Sequence, residues 1–241
     1  MPEFYHARAL LHEFKGGQYI HGLDVLPQVG SAVAHLGERA ALVRSTFPGA
    51  DGWIQTLSDS LSAANVEIAG MIIGARPNAP REDLARITAE LTTLDPDVIV
   101  TFSGGSTIDA TKAAEVLRTL GGDIEDYFGT GMVSRALASS NRKLTPHVAI
   151  QTSASSSAHI TKYSNITDLA TAQKKLIVDE AIVPVQPVFD YSVTCGAPAD
   201  LTTDGAMDGI AHSLEVLYGA TGKPNYDRVK TVAHHGIHLV V

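Results

Sequence analysis

Cysteine is almost missing from this chain. Its 241 residues include a single one, Cys195, which excludes an internal disulfide and any metal site built from clustered thiolates. Basic residues are in the minority. Eighteen Lys and Arg stand against 26 Asp and Glu, for a net charge of −8, which argues against a broad electrostatic footprint for nucleic acid or anionic membrane. No continuous apolar stretch approaches the roughly 18 residues of a membrane span. The start, MPEFYHARAL, lacks the basic region and apolar run of a secretory signal. These absences lead to the expectation of a cytoplasmic protein.

What is present is a globular composition, 44% hydrophobic and 18% charged, with apolar residues spread along the chain rather than withheld as in disorder. The length suits one large domain, or one domain and the start of another. Before residue 37, Ala9-Leu10-Leu11 reads as extended, and Val25 to Leu36 as a short helix with Leu26, Val29, Val33 and Leu36 at helical spacing. Strands are then expected at Arg39 to Arg44, Val66 to Ile73 and Asp97 to Phe102, separated by helices over Trp53 to Ala64 and Arg81 to Leu94. A helix over Thr107 to Leu120 follows. Strand–helix alternation of this kind builds a parallel sheet with helices on its faces. Further along, His147 to Thr152 reads as a strand, Ser153 to Ser157 as a small polar loop and Ala181 to Phe189 as extended. From Asp200 the pattern turns helical, over Leu201 to Tyr218 and again from Tyr226. A boundary near Pro198 is therefore expected, with an α/β unit over 1–198 and a helical one over 199–241.

The strongest local pattern is DVIVTFSGGSTIDATKAAEVL. A buried strand ends, Gly104 and Gly105 turn the chain, and a helix begins. Amides at a helix N-terminus carry partial positive charge and suit a phosphate. The glycines let backbone approach a ligand, and Ser106 can add a hydroxyl. On local grounds an ordinary strand-to-helix turn with Ser106 as N-cap is as good a reading. Asp109 is equally readable as a charge near the helix start. Neither GxGxxG nor the P-loop pattern is present. Farther on, Asp208 and His212 lie four apart in a helical stretch, so they share a face. A carboxylate and an imidazole so placed can bind one divalent ion together, or pair with each other.

SGGSTIDATKA resembles the GGGSxxDxAK motif of the iron-containing (group III) alcohol dehydrogenases, with Ser103 in place of the first glycine. The likeness continues in order through Ile150 to Asp168, Phe189 to Thr194 and Leu201 to Asp227. IQTSASSSAHITKYSNITD resembles the family's PTTAGTGSE region: Thr152 and Ser153 match the paired threonines and Ser156 the third. Gln151 replaces the proline, serines replace the glycines, and His159 replaces the glutamate. DGIAHSLEVLYG resembles the helix whose Asp and His positions bind catalytic iron or zinc, here Asp208 and His212. Asp190 matches an aspartate that is read as structural.

The resemblance implies a Rossmann-like α/β domain followed by the start of an all-α domain. It implies reversible hydride transfer between NAD or NADP and an alcohol, aldehyde or ketone, with a divalent metal acting as a Lewis acid, and a homo-oligomer. The cofactor residues implied are Ser45, Gly104, Gly105, Ser106, Asp109, Thr152, Ser153, Ser156 and Lys174, with Lys175 one register away. His159 is a candidate proton relay in the cleft, or a plain loop histidine. Family members that prefer NAD often carry an aspartate where this chain has Ser45. With Arg44 beside it, that serine leads to the expectation that NADPH is tolerated.

His234, His235 and His238 fall on the helix after the metal helix, from which the family takes no ligands, and are read as face or packing residues. Three alternatives remain: a metal-free maleylacetate-reductase-like enzyme, a non-catalytic nucleotide-binding protein, and a relative of dehydroquinate synthase or glycerol dehydrogenase. Because members of the family are longer, the 241 residues read as the nucleotide-binding domain with the first helices of the next, a stretch expected to bind nucleotide without turning over alcohol.

Overall fold

The computed structural model describes residues 2–241. Six parallel strands form the main sheet: β1 (Ile20–Gly22), β2 (Arg39–Arg44), β3 (Glu67–Ile73), β4 (Val98–Ser103), β6 (His147–Gln151) and β9 (Gln186–Asp190). Their spatial order is β1-β9-β6-β4-β2-β3. The helices among them are α2 (Val29–Ala34), α3 (Ala50–Ala63), α4 (Arg81–Leu94), α5 (Gly105–Leu120) and α6 (Met132–Ser140). A smaller sheet joins β5 (Gly129–Thr130) in parallel to β8 (Gln173–Val178), which pairs antiparallel with β7 (Tyr163–Asp168). The short helix α7 spans Tyr191–Thr194. The helices α8 (Ala199–Gly219) and α9 (Tyr226–Val240) follow, and Pro198 is the residue that caps α8.

Strand alternation sorts the core. Leu42, Val98, Val100 and Phe102 face α2 and α3, where Val29, Val33, Ile54, Leu57 and Leu61 meet them. Ala41, Val43 and Ile99 face the other way, onto Leu84, Ile87 and Leu91 of α4 and the alanines of α5. Two buried faces explain why these strands read as apolar runs rather than as alternation. All five residues of β6 are buried, as are all six of β4.

The chain passes from β2 outward to β3, then returns across β2 to β4. The strand order therefore reverses between β2 and β4. Ligands of open α/β sheets bind outside the carboxyl ends of the strands at such a point. Arg44 and Ser45 lie at that end of β2, and Ser103 and Gly104 at that end of β4.

Several expectations change. Ala9-Leu10-Leu11 lies within a helix, α1 (Pro2–Lys15), because Ala and Leu are strong helix formers. Gly16, at φ +63°, and Gly17 follow it. The helix expected from Val25 is a 3₁₀ turn over Leu26–Gln28 running into α2. The helix after the glycine turn starts two residues early, at Gly105, with Gly104 rather than Ser106 as N-cap. Within the extended segment, Glu180–Ile182 form a 3₁₀ turn ahead of β9. The sequence reading had no place for α6 or for the β7–β8 hairpin.

Candidate functional site

The glycine turn and the hairpin enclose a polar pocket of about 150 Å³, lined by Asn78, Gly105, Ser106, Asp109, Ser156, Asn165 and Lys174. It brings together five of the nine residues singled out for cofactor binding. Gly105 is there because nothing larger fits. A Cβ on it would lie 2.5 Å from Ser156 Oγ and 2.9 Å from Ser156 Cβ. A Cβ on Gly104 would come within 3.0 Å of Ser153 Oγ. The Ser153 and Ser156 side chains thus pack directly on the glycine backbone, where a Cβ would crowd them. Thr152 joins the two through its amide, which donates to the Ser103 carbonyl at 3.0 Å.

Ser106 sits in the first turn of α5 and accepts from the Asn78 amide at 3.0 Å. Asn78 in turn accepts from Lys174 Nζ at 3.1 Å. Lys175 points elsewhere, to Glu125 at 2.7 Å, so Lys174 is the lysine of the pocket. Successive residues of a strand face opposite ways.

Asp109 is not a free acceptor. It is buried, and its Oδ2 accepts from the Asn165 amide at 3.0 Å and from Asn165 Nδ2 at 3.3 Å. Burial pushes its carboxyl above the ordinary range, against the pull of Lys112. Lys112 lies 3.8 Å away, fully enclosed, and donates to the Thr161 and Tyr163 carbonyls at 2.9 and 2.8 Å. Burial draws its ammonium down to about 8, although Asp109 opposes this. The pair clamps the hairpin onto α5 and so holds Asn165 and Lys174 over the turn. Asn78 and Asn165 were missed in the sequence: Asn78 stands outside the motifs, Asn165 lies in the matched segment at a position given no role, and only the fold brings loop and hairpin close.

Ser45 stands apart from this pocket, at the switch point. Its hydroxyl hydrogen-bonds that of Ser103, and its amide donates to the Phe102 carbonyl at 3.0 Å. Arg44 does not point to open solvent. Its Nη2 meets Asp51 Oδ1 at 2.5 Å and its Nε donates to the Ser45 carbonyl at 3.1 Å.

Asp208 and His212 share an exposed face of α8, with Asp208 Oδ2 3.4 Å from His212 Nδ1. The Ser155 hydroxyl donates to Asp208, which ties the serine loop to this helix. Their donor chemistry, one carboxylate oxygen and one imidazole nitrogen, fits two corners of a divalent-ion site. Among the described residues no group of three or more His, Cys, Asp or Glu gathers to complete one. His234, His235 and His238 instead line an open cavity of about 560 Å³ with His6, His235 meeting the His6 ring edge-on.

His159 is buried behind the serine loop. Its ring is 2% exposed and bonded on both nitrogens, to Tyr19 Oη at 2.8 Å and to Gln151 Oε1 at 3.2 Å. Burial, reinforced by Lys112 and Lys15, draws its pKa down to about 3. A ring that stays neutral is a poor proton carrier near pH 7. Asp190 is wholly buried and accepts from the amides of Asp24, Leu26 and Ser192 at 2.9–3.0 Å, which fixes the chain after β1.

Comparison with known proteins fits this geometry. The family model for iron-containing alcohol dehydrogenase matches residues 16–191. Sulfoacetaldehyde reductase of Bilophila wadsworthia is 28% identical over 215 residues, covering 89% of this chain and 54% of that protein. NAD-dependent methanol dehydrogenase of Bacillus methanolicus is 28% identical over 203 residues, covering 83% of this chain and 51% of that protein. A crystal structure of 1,3-propanediol oxidoreductase superposes with a TM-score of 0.73 at 27% identity, over 81% of this chain and 50% of that one. The chain spans about half the length of the curated relatives it matches.

Proposed function

This chain belongs to the iron-containing alcohol dehydrogenase family, and from that premise we propose that it carries the nucleotide-binding part of an oxidoreductase that interconverts an alcohol and an aldehyde or ketone with a nicotinamide dinucleotide. The observation that carries the reading is the serine loop. Ser156 lines the polar pocket, while Ser155, one residue earlier, bonds Asp208 on α8. One short loop therefore serves both the cofactor side and the metal-donor side.

In this reading the amides at the start of α5 and the hydroxyls of Ser106 and Ser156 hold the pyrophosphate, where dipole and donors favour an anion. Lys174 adds a cation at the pocket rim. Ser153 and Thr152 orient the nicotinamide half, and Ser45 stands at the adenosine half beside the switch point. Asp208 and His212 would hold two positions of a divalent ion, whose chemistry when bound is Lewis-acid polarisation of the substrate oxygen. The relatives' names support NAD as one cofactor. The bond from Arg44 to Asp51 supports NAD over NADP, because a 2′-phosphate must compete with that carboxylate.

With two metal donors among the described residues, residues 1–241 are expected to bind NADH without oxidising alcohols. Fluorescence titration with NADH and NADPH, together with an alcohol and aldehyde panel under added Fe²⁺ or Zn²⁺, tests this. Failure to bind either nucleotide at millimolar concentration would remove the reading.

A further inference from the structure

Gln151 is the last residue of β6 and is 1% exposed. Its Nε2 lies 2.7 Å from the Ser153 carbonyl and 3.0 Å from Ser156 Oγ. A backbone carbonyl only accepts, so the amide nitrogen of Gln151 faces it and donates. Gln151 Oε1 is thereby turned to His159 Nδ1, 3.2 Å away. Because that oxygen also only accepts, Nδ1 carries the hydrogen. A neutral ring protonated there has an accepting Nε2, to which Tyr19 Oη donates at 2.8 Å. One carbonyl fixes the direction of every proton in the series.

Gln151 and His159 are two of the positions at which the segment departs from PTTAGTGSE, where proline and glutamate stand. Here the two departures bond each other directly. A proline could supply neither the acceptor nor the donor that Gln151 supplies. Phe189 meets the His159 ring at 5.7 Å, nearly edge-on, and closes the remaining side with an apolar group.

We infer that the half-buried Tyr19 and the buried His159 and Gln151 form a one-way hydrogen-bond chain that positions the Ser153–Ser156 loop against Gly104 and Gly105, making all three positioning residues for nucleotide binding. The inference deepens the nucleotide-pocket reading and rests on it for its ligand. The loop needs such support. Ser155 and Ser157 hold φ of +98° and +49°, in the left-handed half of the map where residues with a Cβ are costly. The ring's surroundings agree with a fixed neutral tautomer: Tyr19, Gln151 and Phe189 touch it, Lys112 and Lys15 supply the nearby charge, and burial and both lysines disfavour its protonation.

The test uses the whole 241-residue chain. Gln151→Glu keeps the size and the bond from His159 but turns an acceptor toward the Ser153 carbonyl. In the ligand-free protein, hydrogen exchange at residues 153–157 should accelerate about tenfold, and the NADH Kd should rise about tenfold. Tyr19→Phe removes only the first donor and should raise the Kd about threefold. It also serves if Gln151→Glu does not fold. In the parent protein, ¹⁵N spectra should show His159 protonated at Nδ1 and bare at Nε2 from pH 8 to pH 5. An Nε2-protonated ring, titration above pH 5, or parental exchange in folded Gln151→Glu overturns the inference. Faster loop exchange with no NADH binding in any variant would uphold the positioning chain and remove the nucleotide reading instead.

Discussion

Replacing Gly105 with alanine is the smallest change that should close the pocket. The new methyl carbon would sit 2.5 Å from Ser156 Oγ and 2.9 Å from Ser156 Cβ, well inside ordinary contact. Backbone strain plays no part, since the position is the first residue of a helix, where alanine is the better former by up to about 1 kcal/mol. The Ser156 side chain must move, and it is held by Gln151 Nε2 at 3.0 Å. Overpacking of this kind costs about 1–3 kcal/mol, and the lost hydrogen bond about 1 kcal/mol. Set against the helix gain, a net destabilisation of about 1–3 kcal/mol follows, with NADH Kd weakened about tenfold or more. Urea unfolding and fluorescence titration read the two effects separately. Ser156→Gly in the same chain removes the obstructing atoms, so the pair should couple by about 1–2 kcal/mol in a double-mutant cycle. Gly105→Ala with parental stability and Kd, or a cycle with no coupling, would refute the claim that the Ser156 side chain lies too close to this backbone for a Cβ.

Three further outcomes are expected. Asp51→Asn frees Arg44 and should shift the NADPH-to-NADH Kd ratio toward NADPH by up to about fivefold, the scale of an exposed ion pair; an unchanged ratio in direct titration would detach Arg44 from cofactor choice. Ser157→Gly relieves the left-handed backbone at φ +49° and should stabilise the chain by about 0.5–1 kcal/mol in urea melts; a loss of stability would contradict that. His147 and His159 are both drawn down to about 3 from an ordinary 6.5, by burial first. They bind protons more weakly folded than unfolded, so stability is intact above about pH 6.5 and falls as the pH drops toward 3. Between pH 6 and 4.5 each contributes about 1.4 kcal/mol per pH unit of slope, and His147→Phe should halve their joint contribution; an unaltered slope would place the His147 ring in contact with solvent.

The sequence was most legible where one helix face or one apolar run decided the structure. Arg81–Leu94 and Arg39–Arg44 take the bounds expected from periodicity. Gly104 and Gly105 marked the turn because close approach of backbone leaves a mark in composition. The hairpin left none: Gln173–Val178 is half charged or polar, and its placement depends on Asp109 and Lys112 reaching Asn165, Thr161 and Tyr163 from another element. Asn78 was hidden for the same reason. Its work is done from a loop at φ +67° that touches α5 and β8 only after folding. His159 could be read as a relay or as a plain loop histidine because a motif position says where a side chain is, not what surrounds it. Tyr19, 140 residues earlier in the chain, is what fixes its proton.

The clamp between Asp109 and Asn165 also bears on the order of assembly. It closes a loop of 56 residues, twice the 28 that separate Arg39 of β2 from Glu67 of β3 and close to the 58 that separate Ala40 of β2 from Val98 of β4. Contacts distant in sequence carry the larger closure entropy and tend to form late. The β2–β3 pairing is therefore expected to consolidate first, and the β2–β4 pairing and the docking of the hairpin to follow. The pocket, which lies where the two long-range contacts meet, would then be among the last parts of the α/β unit to appear during folding and among the first to open when the native state fluctuates.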